Sequence, residues 1–310
     1  MPTRGSNKTM FSALVQTQHF LQALKISSTI RKIPLAQSAY AYLYKQWVPR
    51  DGFSVDVFGS RLLLDPEDMG MSRALLLADG KWEAGQTEVL RSLLREGATF
   101  VDVGANIGYY SVLAARIVGP RGRVFAFEPS PRNFAFLERN VTANFHRNVA
   151  LISKAVSDCC GTTQFEIDPA SSGTHRVSVS GARPNSILVE TTSLDEYFVA
   201  GDVRIDLIKM DAEGAEPLIL AGMQRAIKRN PNLILVTEFS PVAILDLGHS
   251  PEGFLNDLRD SGFAIHPISD AGPSDLPLAC AEDSDFIRHS GSTNLLCVHH
   301  AHIGDGSLGQ

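Results

Sequence analysis

Two short stretches concentrate the side chains that could do chemistry. The first, Val101-Asp102-Val103-Gly104-Ala105-Asn106-Ile107-Gly108, runs an apolar strand into a turn of small residues, and a helix opens near Gly108. Glycine in such a turn lets the backbone approach a ligand closely, and an open α/β sheet binds ligands over the carboxyl ends of its strands. Glu128 stands 24 residues beyond Gly104, closing the run Val124-Phe125-Ala126-Phe127. A carboxylate there can accept both hydroxyls of a ribose. The second stretch, Lys209-Met210-Asp211-Ala212-Glu213-Gly214, places three charges on alternate residues at the end of another apolar run. On an extended strand such residues share a face. Glu238 closes the next apolar run, Leu233-Ile234-Leu235-Val236-Thr237, and points to the same rim. A charge ending an apolar strand needs a partner or a function.

A dinucleotide fingerprint wants G-x-G-x-x-G, its middle glycine letting backbone reach a diphosphate. Counted from Gly104, the second and third glycines are replaced by Asn106 and Tyr109. A nucleoside without a diphosphate fits better, and S-adenosylmethionine is one: a ribose, a sulfonium and an amino-acid end. Glu128 would take the ribose and Asp102 the ammonium, directly or through water. Gly104, Asn106 and Gly108 would line the turn, with the helix amino end favouring the carboxylate. Asp158, after the third strand, could reach the adenine amine; a plain turn acid is the equal alternative.

The run from Phe100 to Tyr110 resembles the first motif of FkbM-family methyltransferases. The run Ile205-Asp206-Leu207-Ile208-Lys209-Met210-Asp211-Ala212-Glu213-Gly214-Ala215-Glu216 resembles a later one. Glu88 and Thr192-Ser193-Leu194-Asp195 also resemble the family pattern, and the likeness covers roughly 84–240. It implies transfer of a methyl group from S-adenosylmethionine to a hydroxyl of a sugar, glycan, lipid-linked glycan or other secondary metabolite. It also places Glu88 among the cofactor residues. An attacking alcohol must lose its proton, so a carboxylate within hydrogen-bond reach would serve as general base. Asp211 is the first candidate, also able to touch the cofactor, and Glu238 the second. Glu216 competes as simple helix-start chemistry. No metal is required, although a divalent cation held between Asp211 and Glu238 is a variant of the same site. Two other classes stay open: an NAD-binding oxidoreductase, and a non-catalytic binding protein on a methyltransferase fold.

These residues need a sheet to position them. Short apolar runs at Thr99–Val103, Arg123–Phe127, Val149–Val156, Ile205–Met210 and Leu233–Phe239 alternate with helical segments near 108–118, 131–144 and 215–229. That pattern predicts a Rossmann-like α/β fold with a mostly parallel twisted sheet and helices on both faces. Ala264–Ile268 and Asn294–Val298 would close it with an antiparallel strand, and 161–194 reads as an inserted β-hairpin. The expected organisation is a basic helical extension over 1–50 (helices near 10–26 and 35–48), a small hairpin and connector over 51–83, the methyltransferase domain over 84–303, and a tail over 304–310.

Residues 1–50 hold seven basic side chains and no acid, while the rest carries 21 basic against 34 acidic. An acidic main body lacks the footprint of a nucleic-acid binder. The basic start is read as helices that cap the domain, with weak membrane-surface contact as the alternative. No run of about 18 apolar residues exists, so no bilayer-spanning helix is expected. Four cysteines without a C-x-x-C pair argue against zinc and disulfides and for the cytoplasm. His175 is expected in a solvated loop, and His299, His300 and His302 in a frayed polar end.

Overall fold

The computed structural model describes residues 10–17, 42–44, 46–49, 52–168, 171–178, 185–199 and 203–299. The chain divides into two compact units, one of residues 1–82 with 169–173, the other of 83–168 with 174–310.

In the first unit, β1 (Phe53–Val57) and β2 (Ser60–Leu64) form the expected hairpin, followed by helix α1 (Met71–Leu77). Asp68 is buried and accepts from the amides of Gly70, Ser72 and Ser172 and from the Ser172 hydroxyl, tying 171–173 to this unit. Residues 10–17, 42–44 and 46–47 are helical; the rest of both expected amino-terminal helices lies outside the described residues. Phe11 packs edge-on against Tyr44 and tilted against Phe53.

The second unit begins with α2 (Ala84–Leu93) and β3 (Thr99–Val103), then α3 (Tyr109–Val118), β4 (Arg123–Phe127), α4 (Pro131–Ala143) and β5 (Val149–Ile152). The insert supplies β6 (Ala155–Val156), β7 (Gly161–Glu166), β8 (Arg176–Val177) and β9 (Ser186–Thr192), leading to α5 (Leu194–Tyr197). The main sheet resumes with β10 (Leu207–Met210), α6 (Glu216–Ala221), α7 (Gln224–Arg229), β11 (Ile234–Phe239), α8 (Pro241–Asp246), α9 (Pro251–Asp260), β12 (Phe263–Ser269), β13 (Gly272–Pro273), α10 (Asp283–His289) and β14 (Thr293–His299).

The sheet order is β13-β12-β14-β11-β10-β3-β4-β5. Strands β5, β4, β3, β10 and β11 run parallel, and β14 inserts antiparallel between β11 and β12. All residues of β3 and β10 are buried, which explains their near-continuous apolar character. From β3 the chain steps outward to β4; from β10 it steps the opposite way to β11. Right-handed crossovers then put α3 and α4 on one face and the β10–β11 helices on the other. The strand order reverses between β3 and β10, the place where open sheets make a ligand crevice.

Two expected elements are broken. The run at 149–156 splits because β5 pairs with β4, whereas β6 leaves to pair with β9 in a separate four-stranded sheet, β6-β9-β7-β8. The helix at 215–229 is interrupted at Gly222 and Met223, and position 222 takes glycine because a Cβ there would lie 2.2 Å from the Ser157 carbonyl oxygen.

Candidate active site

The Gly104–Gly108 loop leaves β3 with three residues in the left-handed region, Gly104 at φ +73°, Asn106 at +51° and Gly108 at +93°. Asparagine tolerates that region better than most side chains, so Asn106 can stand where a dinucleotide fold has glycine. Every amide of the loop is used internally. Gly104 and Ala105 donate to the Phe127 carbonyl at 3.1 and 2.9 Å, and Gly108 donates to the Ala105 carbonyl at 2.8 Å. The Ile107 amide donates to Asn106 Oδ1, and the Asn106 amide to Glu128 Oε2, both at 2.8 Å. No amide from 104 to 108 is left for an anion, so this part of the helix amino end does not serve the carboxylate as the sequence suggested.

Glu128 is 4% exposed, at the end of β4. Its Oε2 accepts from Asn106, and its Oε1 accepts from the Ser130 amide at 2.8 Å. A carboxylate oxygen carries two acceptor positions. The Asn133 side chain also hydrogen-bonds this carboxylate, which leaves one acceptor position for a ligand hydroxyl. Burial pushes the Glu128 carboxyl up to about 7, against the two amides, Lys209 and the Asn133 side chain, which favour its charge. Ser130 caps α4, accepting from the Asn133 amide, and Pro131 starts the helix. From the same helix Asn140 Nδ2 donates to the Ile107 carbonyl at 2.7 Å and braces the loop.

Gly104 touches the second stretch directly. A Cβ on it would sit 1.8 Å from the Asp211 carbonyl oxygen, and its φ is unfavourable for any side chain. The glycine therefore serves loop-to-strand contact as well as ligand approach. Gly104→Ala should force the loop off β10 and weaken S-adenosylmethionine binding by about 100-fold or more in calorimetry, since steric strain of several kcal/mol must be relieved. Unchanged affinity would place the pocket elsewhere.

Asp102, fully buried, accepts from Ser111 Oγ at 2.6 Å and lies 3.7 Å from Lys209 Nζ. Its enclosed Oδ1 has no hydrogen-bond partner. Asp211 is 31% exposed at the side chain, with its Oδ2 3.2 Å from Lys209 Nζ. Its amide donates to the Val103 carbonyl at 3.1 Å, extending the β3–β10 pairing to the rim. Glu216 is fully buried and accepts from the Ala212 and Gly214 amides at 2.6 and 2.9 Å. It closes the turn that carries Asp211 and Glu213, which is its helix-start role.

Carboxylate oxygens of Asp211, Glu213 and Glu238 come within 4.8 Å of one another. Glu238 Oε1 accepts from Ser292 Oγ at 2.7 Å, while its enclosed Oε2 has no hydrogen-bond partner. Burial first, then Asp211, push Glu238 up to about 10 and Glu213 to about 8, and burial raises Glu216 to about 7. Glu238 thus carries its proton at neutral pH, suiting a hydrogen-bond donor better than a base.

These carboxyls, with Glu128, are raised above their ordinary 4.5. The folded chain then binds more protons than the unfolded one, and the stability they contribute is full below that value and lost as pH climbs through about 7 to 10. The melting temperature of the cofactor-free protein should fall between about pH 6 and pH 9, with Glu238→Gln flattening the upper part of the slope. A melting temperature rising across that range would contradict this electrostatic picture.

Four expectations are corrected. Glu88 does not reach the crevice: it is 64% exposed at the side chain and pairs with Arg91 at 2.7 Å on the outside of α2. The acid that does reach the site is Glu83, just before that helix, whose Oε2 accepts from Tyr110 Oη at 2.9 Å. Burial of its carboxyl group and the nearby Asp211 raise it. Its left-handed backbone, φ +38°, turns it there, and nothing in helical periodicity flags that turn. Asp158 follows β6 of the small sheet and is exposed beside Gly222, at the far end of α6 from the Asp211 turn. His175 is buried in the second unit, with Nδ1 3.5 Å from Asn133 Nδ2 and Nε2 3.1 Å from the Asp168 carbonyl oxygen. His299 belongs to β14 and packs on Phe263; His300, His302 and the tail lie outside the described residues. Lys209, Tyr110 and Ser111 were not singled out as site residues by sequence. The charge of Lys209 inside an apolar strand was the available signal.

The methyltransferase FkbM domain matches residues 102–263, just over half of the chain. The chain belongs to the FkbM methyltransferase family. Among its relatives, the hexuronic acid methyltransferase AglP of Haloferax volcanii is 35% identical over 157 residues, covering 49% of this chain and 62% of AglP. The 31-O-demethyl-FK506 methyltransferase FkbM of Streptomyces tacrolimicus is 34% identical over 128 residues, covering 40% and 46%. The 2-O-methyltransferase NoeI of Sinorhizobium fredii is 26% identical over 190 residues, covering 56% and 76%. This chain thus spans less than two thirds of AglP and of FkbM. The FkbM domain is an S-adenosylmethionine-dependent methyltransferase domain, and the Glu128 cradle fits that cofactor: an open acceptor position for a ribose hydroxyl and no loop amide for a diphosphate. No helix among the described residues is long and apolar enough to cross a membrane.

Proposed function

We propose that the protein methylates a hydroxyl of a sugar or glycan. The observation that supports this most is the placement of Asp211: a carboxylate about one third exposed, joined to the cofactor loop through Gly104 and Lys209, at the rim where an acceptor must lie. S-adenosylmethionine, held by Glu128 and the Gly104–Gly108 turn, supplies an electrophilic methyl group. The protein must then align the acceptor oxygen, exclude water and receive one proton. Asp211 receives the proton of the attacking hydroxyl. Glu238, protonated at neutral pH, donates a hydrogen bond toward that carboxylate or the acceptor.

A hydroxyl-rich acceptor suits a rim of carboxyl groups, which can take several hydroxyl donors at once. Arg176 of the small sheet pairs with Asp246 at 3.1 Å and lies close enough to Glu213 to favour its charge. It offers a cation for a sugar acid. The names of AglP and NoeI point the same way. The test is transfer of labelled methyl from S-adenosylmethionine to a panel of hexuronic acids, neutral sugars and glycans. Label in an O-methyl sugar supports the reading; label appearing only on nitrogen, carbon or protein carboxyls overturns it.

A further inference from the structure

Lys209 stands in the middle of Leu207-Ile208-Lys209-Met210, a strand otherwise wholly apolar and wholly buried. Its side chain is 3% exposed, and among the described residues it is the one buried cation. Burying an ammonium is costly unless its charge and donors are answered. They are answered by groups from both motifs. Nζ lies 3.2 Å from Asp211 Oδ2 and 3.7 Å from Asp102 Oδ1, donates to the Gly104 carbonyl at 3.2 Å, and sits 5.3 Å above the Tyr110 ring. Asp102 alone would account for a structural pair. The other two contacts are different in kind, because Gly104 belongs to the cofactor loop and Asp211 to the acceptor rim. The backbones of the same two residues also abut, the Gly104 Cα facing the Asp211 carbonyl.

We propose that Lys209 is a positioning residue whose ammonium ties the Gly104 carbonyl to the Asp211 carboxylate, fixing the cofactor loop and the proton-accepting group in one register. The proposal rests on the methyltransferase reading of Asp211. Lys209 and Asp211 share a strand face, so the ammonium reaches back beneath the carboxylate and holds one oxygen, leaving the other for the acceptor. Without Lys209, Asp211 would lose that anchor and the loop carbonyl would be free to turn.

The test separates this tie from simple charge balance. Lys209→Met alone leaves Asp102 buried without its cation and costs folding stability, so the decisive variant is Asp102→Asn combined with Lys209→Met. Replacing both members of a buried pair by neutral groups is often neutral for stability. The double variant is expected to melt near the wild-type temperature, to bind S-adenosylhomocysteine about tenfold more weakly in calorimetry, and to lose about 100-fold in kcat with little change in the acceptor KM. Lys209→Arg, which restores a cation able to bridge several oxygens, should recover part of both losses. A double variant with wild-type melting, affinity and kcat would show that Lys209 only neutralises Asp102, and would overturn the proposal while leaving the function of Asp211 standing. A fully active Asp211→Asn would instead overturn the function reading. The calorimetric arm then decides for Lys209: weakened binding upholds its hold on the loop, and unchanged binding refutes it.

Discussion

Asp211→Asn is expected to lower kcat by about 100- to 10,000-fold, the usual contribution of a positioned general base, while the affinity for S-adenosylhomocysteine stays at its wild-type value. The separation follows from what each group touches. Asparagine keeps an oxygen for Lys209 and keeps the amide that pairs with Val103, so the loop and the sheet are undisturbed. What it loses is the capacity to take a proton. Glu238→Gln is the matched control. A carboxyl held up near 10 is already neutral, so the amide mimics it and should cost far less turnover than the change at Asp211. Steady-state kinetics beside calorimetry reads both. Equal losses at the two positions would mean that the proton is not passed to Asp211 alone, and wild-type turnover in Asp211→Asn would remove that residue from the chemistry.

Glu128→Ala carries the second large effect, this time on binding. It removes an acceptor for two protein amides, for the Asn133 side chain and for a ribose hydroxyl together, leaving Asn106 and Ser130 with enclosed donors unmatched. An unsatisfied buried donor costs roughly 1–3 kcal/mol, so affinity for the cofactor should fall at least about 100-fold once the ribose contact is also counted. Wild-type affinity should also weaken as pH drops below about 7, because protonation takes one acceptor position from a carboxyl that needs all four. Calorimetry over a pH series gives both results. A flat affinity with pH and an unaffected alanine variant would show that the ribose does not lie on Glu128.

The framework of the second unit was legible because its strands are buried on both sides. Arg123–Phe127 and Thr99–Val103 begin and end where their apolar runs do, and Gly97 and Gly119 bound the neighbouring helices with left-handed turns. What escaped was decided by contacts distant in sequence. Nothing near Gly222 announces that Ser157 passes within a Cβ's reach, and nothing in Val149–Val156 announces that its last residues leave for another sheet. The site divides the same way. Glu128, Gly104 and Asp211 were readable from their places at strand ends. Glu88 was placed by resemblance on a helix whose outward face it occupies, while Glu83 enters the site through a backbone turn that side-chain patterning does not encode. Lys209 was visible as an oddity, but only the fold shows that it faces both motifs.

The most direct test is a calorimetric comparison of two ligands on the wild-type protein. The arrangement of Glu128 under a loop with no spare amide predicts that S-adenosylhomocysteine binds at one site per chain and NAD does not bind. Binding of NAD with no response to S-adenosylhomocysteine would contradict it.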